Sequence, residues 1–222
     1  MGTISANRLG GLALMLAPVI TLIFFFLQPG GILIDAADPA SSSATIAAIV
    51  GNAGLAKVTS VLIPLGLLVF LYGIFVLQGN IKSNGNGDAL ARFGVLFILV
   101  GVVGWTIGAG IALAISGSGL SVEQAVPFFG SLYAASLGIG TISGILSGIG
   151  FLTLAFAVST RDDSNKIAAL AAAVAAVVAI VVTIVGGVDT AQLETMNQIT
   201  GITYLVHMVW FFLLGRSMVK AG

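Results

Sequence analysis

Two stretches of this chain hold residue types that chemistry could use. The first is GIGTISGILSGIG, Gly138 to Gly150, in which glycines alternate with Thr141, Ser143, Ser147 and apolar residues. Glycine-rich backbone can cradle a phosphate when its N–H groups open into water ahead of a helix. A serine there could be a nucleophile if a histidine lies within reach. Repeated glycines at helical spacing can instead let two helices approach closely in lipid. The second stretch is YLVHMVWFF around His207, the one histidine of the chain. An ionisable side chain inside an apolar run is expensive in a membrane and is read first as functional, as a proton acceptor or as a ligand for a metal or haem.

The elements that must position these residues follow from composition. Hydrophobic residues make up 58% of the 222 and charged residues only 7%, with a mean hydropathy of +1.16. A soluble domain carries roughly 25% charged residues, so an integral membrane protein is the expected class. Net charge is formally zero, which gives nucleic acid no basic surface to bind. Without cysteine there are no disulfides, no thiol chemistry and no cysteine metal site. A single histidine gives no cluster for a metal, and no cofactor is expected.

Apolar runs near the roughly 20 residues needed to cross a bilayer lie at Leu9–Leu27, Val58–Gln78, Phe93–Ile115, Gly130–Val158, Ile167–Val185 and Ile199–Gly215. The expected fold is all-α, a polytopic bundle of six transmembrane helices forming one domain over residues 1–222. Turn-rich separators such as QPGG, GNIKSNGNGD, SGSG and STRDDSN join them. Arg8, Lys82, Arg92, Arg161, Lys166, Arg216 and Lys220 fall on one side, and Asp35, Asp38, Glu123, Asp189 and Glu194 on the other. The excess of basic residues places both termini in the cytoplasm of a cell membrane. The first run is longer than a signal-peptide core, and FFFLQPGG lacks a small-x-small cleavage site, so the chain is expected to keep it. Short interfacial helices are expected at Thr45–Lys57, Val122–Ser131 and Ala191–Gln198. Starts at Arg8, Arg92 and Lys166 also allow a threefold hairpin repeat. Pro18 and Pro64 should kink the first two spans, and SNGNGD, Ser83 to Asp88, reads as a turn on the basic side.

With these spans in place the glycine stretch can be decided. It lies within an apolar run and has no charged residue, so the phosphate reading fails. Wound at about 100° per residue, Ser136, Gly140, Ser143, Ser147 and Gly150 fall within about 40° of one direction, with Gly144 beside them. Gly140, Gly144 and Gly148 form overlapping GxxxG steps. The expectation is a helix-packing seam made of Ser136, Gly140, Ser143, Gly144, Ser147 and Gly148, with the alanine-rich fifth span as its partner. The rival is a rhomboid-type protease, which also pairs a serine on a fourth helix with a histidine on a sixth. That family's Gly-x-Ser-Gly is missing here: Ser143 follows Thr141 and Ile142, and Ser147 follows Ile145 and Leu146.

On the sixth span Thr200, Thr203, Tyr204, His207 and Phe211 share one face, opposite Leu205, Val206, Val209 and Leu213. Thr203, Tyr204 and His207 form a candidate polar site. Its plain reading is a neutral imidazole bonded to a hydroxyl or carbonyl on a neighbouring helix, and its functional reading is proton or ligand binding.

The runs RLGGLALMLAPV (8–19), LLVFLYGIFVLQ (67–78) and DALARFGVLFILVGVVGW (88–105) resemble a widespread family of six-span membrane proteins known as a domain of unknown function. That resemblance implies six helices and no catalytic residue, since the family has no established activity. The expected function is a non-enzymatic accessory, scaffold or assembly subunit, with the lipid bilayer and other membrane subunits as partners. A small-solute transporter or channel is the alternative, and an enzyme using His207 comes third.

Overall fold

The computed structural model describes residues 4–84, 87–162 and 164–222. It is 86% helix, and there is no strand among the described residues. Helix α1 spans Ala6–Phe26, α2 Ser42–Gly51, α3 Ala53–Asn84, α4 Asp88–Gly117, α5 Val122–Ser159, α6 Lys166–Val188 and α7 Leu193–Ala221. All but the short α2 are long and apolar enough to cross a membrane. The sequence supplies their starts. Ser5 Oγ accepts from the N–H of Arg8 at 3.2 Å, and the Asn165 side chain accepts from that of Ala168 at 3.1 Å. Gln124 Oε1 accepts from the N–H of Ser121 at 3.2 Å. Each satisfies an N–H at a helix start that has no partner within the helix.

The six long helices form a closed ring. Each packs on its sequence neighbour, α1 on α3, α3 on α4, α4 on α5, α5 on α6 and α6 on α7, and α7 returns to α1. Glycines set the closing contact. A Cβ built on Gly11 would stand 2.6 Å from the Gly215 carbonyl oxygen, and one built on Gly215 would strike Gly11 in turn. Any side chain at either position would therefore push the first and last spans apart. The ring is filled by Leu14, Phe70, Ile74, Ile98, Phe151, Ala172, Ala176, Trp210 and Phe211.

Three expectations about the acidic side need correction. The segment Thr45–Lys57 is not one interfacial helix: α2 stops at Gly51, and α3 begins at Ala53. The break falls at Asn52, whose side-chain amide turns back to donate to Asp35, itself at a positive φ of 43°. The segment Val122–Ser131 is not separate either; it is the first part of the continuous α5. Pro127 is the sixth residue of this helix, which continues through it although the Glu123 carbonyl receives no N–H from it. The third segment, Ala191–Gln198, divides into a 3₁₀ turn, Thr190–Gln192, and the start of α7. Pro18 and Pro64 sit within helices that continue through them. The centre of the expected turn SNGNGD, residues 85–86, lies outside the described residues.

At its acidic end the protein carries a second small core. Ile46 and Ile49 of α2 bury against Ala56, Ala112, Ile115, Ala125 and Phe129, and Tyr133 donates to the carbonyl of Pro39 at 3.3 Å. The long α5, 38 residues against 21 for α1, supplies the wall of this cap.

Candidate functional site

Helix α7 brings its polar face to the ring centre. Thr203, His207 and Phe211 are buried, whereas Val206, Val209 and Leu213 on the other side are exposed. That division is what a hydrocarbon solvent demands of a stripe carrying hydroxyl and imidazole groups. The His207 ring lies 4.8 Å from that of Phe151 on α5, with the planes 35° apart. Phe211 meets Phe70 of α3 edge-on at 4.8 Å, and Tyr204 meets Trp105 of α4 at 6.1 Å. Four helices thus contribute rings to one aromatic centre.

The imidazole bonds within its own helix through Nδ1, and the Ala172 backbone of the neighbouring α6 also stands within its hydrogen-bonding reach. Its Nδ1 lies 2.7 Å from the Thr203 carbonyl oxygen, four residues earlier. A carbonyl can only accept, so in the neutral ring Nδ1 carries the proton. The indole Nε1 of Trp210 is buried without a hydrogen-bond partner. Thr203 turns its own hydroxyl to the Thr200 carbonyl at 2.7 Å, so it does not serve the imidazole through its side chain. Tyr204, the third member of the candidate polar site, is partly buried against the main core.

The glycine–serine stretch divides between two partners. Ser143, Ser147 and Gly150 face α4: a Cβ on Gly101 or Gly104 would run into Ser147 Oγ or Ser143 Oγ, and one on Gly94 would stand 2.7 Å from the Gly150 carbonyl oxygen. Gly144 and Gly148 face α6, opposite Thr183 and Ile180. The fifth span is therefore only half of the partner surface. Alanines on α6 supplied one flat face, but glycines on α4 allow the closer approach that serine side chains fill. Ser143 Oγ donates to the Ile139 carbonyl at 2.7 Å, while Ser147 Oγ is buried without a partner. Neither serine is hydrogen-bonded to His207, whose Nδ1 is engaged by Thr203. The arrangement does not form a serine–histidine dyad.

The other end of the stretch is open. Ser136 is only partly buried, and a Cβ on Gly138 or Gly140 would meet nothing within 4 Å. The open surface continues toward the acidic end along GSLYAASLG, where Gly130, Ala134 and Gly138 recur every fourth residue. Ala134 and Gly138 are exposed, and Gly130 has nothing within 4 Å of a built Cβ. Phe128, one turn from Leu132 on the same helix, is 70% exposed. This small-xxx-small run is not distinguished in the sequence, since its spacing simply continues that of the glycine stretch beside it. Two hollows mark the surface, one beside Asp35, Asp38 and α2, the other along α4 and α5 from Val100 to Ile107 and from Gly138 to Leu146.

The chain is similar to an ammonium transporter. Over 158 residues it is 27% identical to ammonium transporter Amt1 of Haloferax mediterranei, an alignment that covers 65% of this chain and 29% of the transporter. It thus spans under a third of that relative's length. No family model matches the chain, and no solved structure does.

Proposed function

We propose that the protein is a non-enzymatic subunit of a larger assembly in the cell membrane, with both termini cytoplasmic, and that it docks a partner along the acidic end of α5. The observation that carries this reading is the bare run Gly130, Ala134 and Gly138. The same helix uses glycine and serine to seat α4 and α6 further along, yet the face that carries this run is left without a neighbour, while its other side packs on α2. Gly138 lies roughly 30 Å along the helix from Ser159 at about 1.5 Å per residue, the depth of the hydrocarbon core. Upright in a bilayer, the helix carries Phe128 to Ala134 past the acyl chains, where lipid tails do not cover apolar surface. Small residues there admit a close backbone, and Phe128 supplies an aromatic anchor of the kind protein interfaces favour.

The test is purification of the full-length chain from native membranes in a mild detergent, followed by native gels and mass spectrometry. The expected result is co-migration with other membrane subunits, lost in a Gly130→Leu, Gly138→Leu double variant whose own melting is unchanged. Migration of the unaltered chain as a lone monomer would overturn the reading.

A second reading, small-solute transport, is favoured by the likeness to ammonium transporter Amt1 and by the buried imidazole of His207 at the ring centre. Its test is ammonium flux into proteoliposomes containing the purified chain. Flux that exceeds empty vesicles and disappears with His207→Phe would support it; flux equal to empty vesicles would sink it.

A further inference from the structure

We draw no further inference here: the strongest candidate, the buried imidazole of His207 among the aromatic rings at the centre of the helix bundle, belongs to the site already described, and nothing in the structure shows that it binds anything beyond its own backbone neighbours.

Discussion

Phe151 of α5 and His207 of α7 stack at the centre of the ring, 4.8 Å between centroids, and the imidazole holds its own backbone through Thr203. The ring atoms fill space, whereas its polar atoms meet backbone, Thr203 on α7 and Ala172 on α6. Packing and hydrogen bonding at this position are therefore separable. His207→Phe keeps an aromatic ring against Phe151 but gives up the bond from Nδ1 to the Thr203 carbonyl, so it should cost about 1–2 kcal/mol in detergent. His207→Ala should cost about 2–4 kcal/mol through the cavity it leaves. Thermal unfolding of both variants checks this, and equal losses in the two would show that the packing of the ring counts for nothing beyond its hydrogen bonds.

Close approach between α4 and α5 depends on particular glycines. A methyl group on Gly101 would meet Ser147 Oγ and stand 2.8 Å from the Ser143 carbonyl oxygen, and backbone cannot swing aside. Gly101→Ala should therefore destabilise by about 1–3 kcal/mol. Gly108, on the same helix, has nothing within 4 Å, and Gly108→Ala should leave stability unchanged or slightly improved, since alanine is the better helix former. Unfolding curves measured side by side give the comparison; equal losses would show that α4 and α5 do not meet as described.

The aromatic centre should outweigh the lipid-facing rings next to it in sequence. Phe211 is 2% exposed and Phe212 41%. Truncating Phe211 to alanine abandons contacts with Phe70 and Phe151 and should cost about 3–5 kcal/mol. Phe212→Ala exchanges one lipid contact for another, with an expected effect within about 1 kcal/mol.

The cap built by α2 has its own small core and should open independently of the ring. Ile46→Ala and Ile49→Ala remove buried anchors, so amide exchange over 42–51 should accelerate while exchange at the ring centre is unchanged. Simultaneous loss of protection in both regions would show a single cooperative unit.

How much was legible in the sequence varies with the kind of information each feature needs. The spans were legible because a bilayer imposes length and apolarity on each crossing separately, without reference to any partner. The inward face of α7 could be read from helical periodicity, because the hydroxyls and imidazole recur at the spacing of one helix side. Helix ends at the acidic side were less legible. Thr45–Lys57 contains no proline to mark its break, which depends on Asn52 reaching Asp35 across the loop. Val122–Ser131 looked separable from the fourth span because Pro127 and the flanking polar residues resemble a boundary, yet the helix runs on.

Local sequence thus determined the six crossings, the distribution of charge between the two ends and the polar stripe around His207, because these depend on solvent preference and helix geometry. Tertiary structure decided that the six crossings close into a ring through Gly11 and Gly215, that Ser143 and Ser147 turn to α4 while Gly144 and Gly148 turn to α6, and that Gly130, Ala134 and Gly138 are left bare. Small residues permit close contact on any side of a helix, so their spacing alone does not say which neighbour arrives. That choice is made by the packing of all the helices together.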